Sequence, residues 1–206
     1  MNVLYATTNA GKLAAMRQAT CELGLELIGL QDLNCSIPSI EETGKDPLEN
    51  ACIKADAYFK AFGMPVFSCD SGLYFENLPD ALQPGAHVRR VRGKELSDEE
   101  MIRYYASLAA DHGGYLTGRY RNAICFVINE GTRYSSMSPS LASAPFLLAA
   151  APHTKRVPGF PLDALSMDPV THTYYYDMEN AAAKSLFSYE GFKAFFRSIL
   201  CPPFHG

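Results

Sequence analysis

The run Val66-Phe67-Ser68-Cys69-Asp70-Ser71-Gly72-Leu73 constrains this chain most, because an apolar, β-prone segment meets a carboxylate, a hydroxyl and a glycine in immediate succession. Read by itself it predicts a strand that stops at Asp70 and delivers that acid to a sheet edge. Open α/β sheets bind ligands beyond their strand ends, so an acid there suits holding a metal or polarising water. Asp-Ser-Gly is equally a plain turn, since Asp and Gly tolerate turn backbone angles. The tripeptide alone leaves both readings open.

Ala6-Thr7-Thr8-Asn9-Ala10-Gly11-Lys12 follows the apolar run Val3-Leu4-Tyr5 and precedes Leu13, Met16, Thr20 and Leu23 at helical spacing. Strand, polar loop and helix are therefore expected in that order. A helix starting near Asn9 or Gly11 turns free backbone N–H groups and its positive dipole end outward, and Lys12 adds a full charge; that arrangement suits phosphate oxygens. It is not a Walker loop, whose glycine and lysine spacing differs. A capped helix start with a solvated lysine fits the spacing as well.

In Ile40-Glu41-Glu42-Thr43-Gly44-Lys45-Asp46-Pro47-Leu48-Glu49-Asn50, Asp46 has the character of an N-cap and Pro47 fits the first helical position. Glu49 stands three residues after the cap, as in a capping box. Leu48, Cys52, Ala55, Phe59 and Phe62 then form an apolar stripe that predicts a helix. Asn50 and Lys54, four apart, share a neighbouring face; an isolated solvated lysine is the plain alternative. Glu41 and Glu42 offer carboxylate oxygen to Mg²⁺, which takes one or two carboxylates together with substrate phosphates. Near the C-terminus, Asn180-Ala181-Ala182-Ala183-Lys184-Ser185 leads into Ser188-Tyr189-Glu190-Gly191 and an aromatic helix from Phe192 to Leu200.

Taken together and in this order, the segments resemble the inosine triphosphate pyrophosphatase family, which hydrolyses non-canonical purine nucleoside triphosphates to monophosphate and pyrophosphate. The matching pieces are Ala6 to Lys12, Glu41-Glu42-Thr43-Gly44, Glu49-Asn50-Ala51 with Lys54-Ala55, Asp70-Ser71-Gly72-Leu73, and Pro84-Gly85. They cover roughly the first half of the chain. The resemblance implies one α/β domain over residues 1–206, with an elongated mixed sheet and flanking helices forming two lobes around a nucleotide cleft. It also implies a Mg²⁺-dependent pyrophosphohydrolase that forms a homodimer. Carried over by position, Thr7, Thr8, Asn9, Ala10, Gly11 and Lys12 would line the triphosphate, and Lys54 would neutralise phosphate charge. Glu41 and Asp70 would serve the metal, Asp70 would act on the water, and Ser71 would contact the nucleotide.

The second half departs from the family. Where the family carries Gly-Phe-Gly-Tyr-Asp-Pro, this chain has Gly159-Phe160-Pro161-Leu162-Asp163-Ala164: Phe160 and Asp163 remain as base-side residues, and the tyrosine has become Leu162. The family's Ser-His-Arg, which contacts the purine, aligns with Ser188-Tyr189-Glu190, so a cation has become an anion; the lysine before it is kept as Lys184. Of the family's two acids before Ser-Gly, the first is here Cys69. A site whose polar groups change partners discriminates strongly against the old ligand, so altered base preference is expected. A nucleotide-binding module of the same fold that has lost turnover is the alternative.

Composition bounds the rest. With 206 residues and 48% hydrophobic content the chain can bury a full core, and its net charge of −4 argues against general nucleic-acid binding. Arg89, Arg90 and Arg92 read as a local basic turn. The six cysteines follow no short-spaced framework and the N-terminus has no signal pattern, which predicts a cytoplasmic protein with reduced thiols. The five histidines are too scattered for a zinc motif. Ser97-Asp98-Glu99-Glu100 reads as a capping box opening a helix, residues 123–137 as a hairpin about Asn129-Glu130-Gly131, and Tyr174-Tyr175-Tyr176 as a strand or edge. The apolar run within residues 135–152 is too short to span a bilayer and reads as partner-facing or lobe-packing.

Overall fold

The computed structural model describes residues 1–178 and 189–201. In chain order the elements are β1 (Asn2–Tyr5), α1 (Ala10–Thr20), β2 (Glu26–Gly29), α2 (Pro47–Phe62), β3 (Val66–Phe75), β4 (Arg90–Val91), β5 (Lys94–Glu95), α3 (Asp98–Asp111), β6 (Tyr115–Asn129), β7 (Thr132–Ser136), β8 (Phe146–Ala149), β9 (Ser166–Met167) and α4 (Glu190–Leu200), joined by loops and short 3₁₀ turns. The fold is α/β, a mixed sheet with flanking helices, as the sequence predicts. The chain forms two compact units. The first holds Met1–Ser71, Arg121–Ala142 and the stretch from Tyr189; the second holds Gly72–Tyr120 and the stretch from Ser143.

In the first unit the sheet runs β2-β1-β3-β6, with β7 on the far side of β6. β1 pairs in parallel with β2, Val3 opposite Leu27, and with β3, Leu4 opposite Val66. Parallel neighbours need crossovers, and α1 and α2 supply them. Strand side chains alternate between faces, and that alternation sorts the core in two. Val3, Tyr5, Phe67, Ile124 and Phe126 pack with Leu13 and Met16 of α1 and Phe192 and Phe196 of α4. Leu4, Ala6 and Val66 pack with Tyr58 of α2 on the other face, where Ala123, Cys125 and Val127 also meet Ala51 and Ala55. Phe67 anchors the first face, stacked on Tyr5 at 4.4 Å and edge-on to Phe196 at 5.0 Å.

The second unit closes a separate core around α3, whose Met101, Ile102, Tyr105 and Leu108 pack with Leu73, Phe75, Phe146, Leu148 and Leu162. Ser97 caps this helix in a full capping box with Glu100. β8 pairs with β6 on one side and β9 on the other and is buried throughout. The apolar run Phe146 to Ala149 is therefore an interior strand of this unit rather than a segment awaiting a partner.

Three local expectations change. β3 does not stop at Asp70 but continues to Phe75. Gly72 is needed for close backbone approach instead of a turn: a Cβ there would lie 2.8 Å from the Tyr74 ring and 2.9 Å from the Gly85 carbonyl oxygen. Leu73 and Gly85 exchange both backbone hydrogen bonds across that contact. On α2 the buried residues are Pro47, Asn50, Ala51, Ala55 and Tyr58, while Leu48, Cys52, Phe59 and Phe62 of the apolar stripe are half-buried. Small residues take the innermost positions because the helix lies close to the sheet. Tyr175–Asp177 is a 3₁₀ turn, with Tyr174 making a single bridge to Met167.

Gly191 sets the seat of α4, since a Cβ at this position would lie 2.0 Å from the backbone oxygen of Ser140. Gly191→Ala is expected to destabilise the protein by about 1–3 kcal/mol, the usual cost of overpacking against an unyielding neighbour. Thermal unfolding followed by circular dichroism tests this, and an unchanged midpoint would show that α4 shifts without cost.

Candidate active site

Asp46 starts α2 by accepting the Glu49 backbone N–H at 2.9 Å, and Pro47 occupies the first turn. The helix then aims Asn50 and Lys54 at the strand beneath. Asn50 is 1% exposed. Its Nδ2 donates to Asp70 Oδ2 at 3.2 Å, and its Oδ1 accepts the Gly44 backbone N–H at 2.8 Å. One amide thus ties the loop before the helix to the acid on β3. Gly44 has no room for a side chain, because a Cβ would approach Asn50 Oδ1 to 2.6 Å.

Lys54 Nζ lies 3.2 Å from Asp70 Oδ1 and 3.2 Å from Glu42 Oε1. The Lys54 and Asp70 side chains are only 14% and 15% exposed, so their attraction is screened far less than that of a surface pair. Of the two neighbouring acids, both exposed, it is Glu42 that reaches Lys54. Among the described residues no group of three His, Cys, Asp or Glu side chains is gathered to hold a metal ion. Asp70 and Glu42, two hard carboxylates with the Lys54 ammonium between them, make up the local donor set.

At the other loop, Asn9 is the N-cap of α1: its Oδ1 accepts the Lys12 backbone N–H at 3.0 Å, while its own N–H donates to Thr7 Oγ1 at 3.2 Å. The Thr7 and Asn9 side chains are thus engaged inside the turn. Ala10, Gly11 and Lys12 are exposed at the start of the helix, where backbone N–H groups and the dipole favour an anion. Thr8 is exposed beside them, its carbonyl accepting from Gln31 Nε2.

Cys69, one residue before Asp70, points to the opposite face of β3. Its thiol hydrogen-bonds with Tyr5 and lies near Tyr189, and burial pushes it up to about 12, so it stays protonated. Two departures from the family pattern, Cys69 and Tyr189, therefore meet in one place. Ser71 Oγ donates to Asn122 Oδ1 at 2.7 Å, and Asn122 Nδ2 donates to the Leu141 carbonyl at 2.7 Å. Tyr189 is the N-cap of α4 and Glu190 its first residue.

Two predicted residues belong to the second unit. Phe160 is 48% exposed. Asp163 lies in the 3₁₀ turn Pro161–Ala164, where burial raises its carboxyl pKa. Leu162, standing for the family's tyrosine, is 4% exposed inside the core around α3; the position has been given to packing. Lys184 falls outside the described residues. Sequence reasoning set Asn50 on the right face but missed its role, and missed Asn122 altogether. The available signal was an amide four residues before a lysine on a helix facing an acid-bearing strand.

The family model described as Ham1 family matches residues 3–138. A dITP/XTP pyrophosphatase from Oceanobacillus iheyensis is 36% identical over 100 residues, covering 48% of this chain and 50% of that one. The chain thus spans about half the length of that relative, and a dITP/XTP pyrophosphatase from Coxiella burnetii, 37% identical, is likewise covered over 49%. One from Haemophilus influenzae is 28% identical over 188 residues, covering 89% of this chain and 91% of that one. Among solved structures, the Staphylococcus aureus Ham1 protein superposes with a TM-score of 0.74 at 19% identity, over 97% of this chain and 100% of that one. A Coxiella burnetii HAM1 protein gives 0.71 at 24% identity, over 97% of this chain and 96% of that one. These likenesses establish the fold.

Asn50→Ala is expected to cost about 1–3 kcal/mol, the scale for leaving buried hydrogen-bonding groups unpaired, here the Gly44 N–H. Urea unfolding measures it, and a loss below half a kcal/mol, on the order of a surface substitution, would mean that the clamp is not structural. Asp163 yields a pH prediction. Its folded pKa is raised, so folding favours the protonated acid, and stability falls as pH rises from the unfolded value through the folded one. Asp163→Asn should therefore raise the unfolding midpoint at neutral pH, with the gain disappearing in acid below the unfolded carboxyl pKa; a gain that persists there would point to packing instead.

Proposed function

Because the chain belongs to the Ham1 family, that of the inosine triphosphate pyrophosphatases, we propose that it hydrolyses nucleoside triphosphates to the monophosphate and pyrophosphate. The observation that carries this reading is Asp70, held on β3 by Asn50 and Lys54 with both carboxylate oxygens engaged. Splitting a triphosphate at its α-phosphorus asks for positioning and charge neutralisation more than covalent help. An oriented acid, a lysine beside it and an anion-seeking helix start make a sufficient set.

In this reading the exposed N-terminus of α1, with Lys12, takes phosphate oxygens. Lys54 neutralises charge on the phosphate near Asp70. Asp70 accepts the proton of the attacking water at its carboxylate. Ser71 contacts the nucleotide, its hydroxyl oriented by Asn122. Asp70 and an acid of the Glu41–Glu42 pair fit a hard divalent cation such as Mg²⁺, because oxygen donors suit it and the Lys54 ammonium already stands where two carboxylates converge. When bound, such a cation would supply further neutralisation of the phosphates and a more acidic water.

On the base side, Glu190 is an acceptor where the family has a donor. An acceptor suits a base amino group, whereas an oxo group needs a donor. We infer a purine preference shifted away from inosine and xanthosine triphosphates. Free thiols at all six cysteines accord with a reducing, cytoplasmic setting, and among the described residues no helix is long and apolar enough to cross a membrane. A homodimer rests on the resemblance alone.

Pyrophosphate release from canonical, deaminated and oxidised nucleoside triphosphates, with Mg²⁺ present, tests both parts. The expected result is release by the wild type that falls on the order of 10²-fold or more in Asp70→Asn, the scale of lost acid–base catalysis. Inosine triphosphate outrunning every other nucleotide would overturn the shifted preference. Binding without release from any member of the panel would favour a module that has lost turnover.

A further inference from the structure

Lys54 faces two acids. Its ammonium is directed at two carboxylates and stands 3.2 Å from Glu42 Oε1 and 3.2 Å from Asp70 Oδ1. An ammonium is a compact point charge with three donors. The two carboxylate contacts engage it with the same oxygens that the proposed divalent cation would need. Resting on the hydrolase reading above, we propose that Lys54 is the resident cation of this site in the nucleotide-free protein. A divalent metal is then kept out until a triphosphate arrives.

The argument is one of charge and space. A divalent ion held by carboxylate oxygens at roughly 2.1 Å would be set against the Lys54 ammonium. The pair is mostly buried, with Lys54 14% and Asp70 15% exposed, so the repulsion between the two cations is little screened. Asn50 holds the other Asp70 oxygen and limits how far the acid can turn away. Glu42, 44% exposed, is the freer of the two acids.

A triphosphate changes the balance by offering Lys54 a new anionic partner. Once the ammonium moves to phosphate, the Glu42 and Asp70 oxygens become available. Metal and triphosphate then bind with positive coupling, and the coupling is the same whichever is titrated first. Lys54 acts on the metal by exclusion, in addition to any contact it makes with phosphate.

The test uses Mn²⁺ as probe, with free ion counted by electron paramagnetic resonance and no nucleotide present. The expected result is weak Mn²⁺ binding by the wild-type chain and binding at least about ten-fold tighter in Lys54→Met, a modest outcome for removing a full charge beside the ion in a partly screened site. Lys54→Arg, which keeps the cation, should bind as weakly as the wild type. The gain in Lys54→Met should vanish when Asp70→Asn is added. Unchanged or weaker Mn²⁺ binding in Lys54→Met, with circular dichroism showing a folded protein, would overturn the proposal. So would a gain that survives Asp70→Asn, because the ion would then sit elsewhere. Should Lys54→Met fail to fold, Lys54→Gln carries the same test. Pyrophosphate release by the wild type is read separately, so loss of the hydrolase reading and loss of this one are distinguishable.

Discussion

The contact between helix α2 and strand β3, made through Asn50, Lys54 and Asp70, is the constraint on which the rest of the site depends. An acid in the middle of a strand, under a helix, must be compensated, because a buried unpaired carboxylate is far costlier than a paired one. The helix supplies an amide for one oxygen and an ammonium for the other. That requirement reaches outward. Asn50 can hold Asp70 only if the helix sits close, which accounts for Ala51 and Ala55 on its innermost face. It also accepts from Gly44, so the Glu41–Gly44 loop inherits its path from the same side chain.

Much of this framework is legible in the residues. The strand, loop and helix at the N-terminus, the Asp46 cap and Pro47 start of α2, the Ser97–Glu100 capping box and the hairpin about residues 129–131 stand as read, though the Glu49 carboxylate takes the Lys45 N–H and does not close a box on Asp46. These are local signals, each carried by a cap, a turn or a short period. What escapes such reading is set by partners distant in sequence. Gly72 looks like a turn residue until Gly85 is found against it. Phe146 to Ala149 gives no sign of lying between two strands, because a short apolar run is silent about its neighbours. Which acid of the Glu41–Glu42 pair reaches Lys54 depends on the path of a loop clamped at Gly44, and that path is not encoded in the pair itself.

The departures from the family pattern are not scattered. Cys69 and Tyr189 lie together with Tyr5 on the face of β3 away from Asp70. A carboxylate in place of Cys69 would stand among aromatic rings, where burial already pushes the thiol up to about 12 and a charge would be poorly solvated. A neutral thiol and a tyrosine suit each other there. Leu162 tells the same story in the second unit, where a position that is tyrosine in the family has become a core leucine. These changes leave untouched the acid, amide and lysine on the α2 side.

That separation follows from strand geometry. Successive side chains on β3 point to opposite faces, so Cys69 and Asp70 are adjacent in sequence but belong to different environments. A substitution at Cys69 alters what surrounds Tyr189 without moving the groups that hold Asp70. The chain can therefore change the neighbourhood of α4 while keeping α2 and its three polar residues as they are. Strand alternation thus lets the surroundings of Tyr189 change while the Asn50, Lys54 and Asp70 contacts on the α2 side stay as they are.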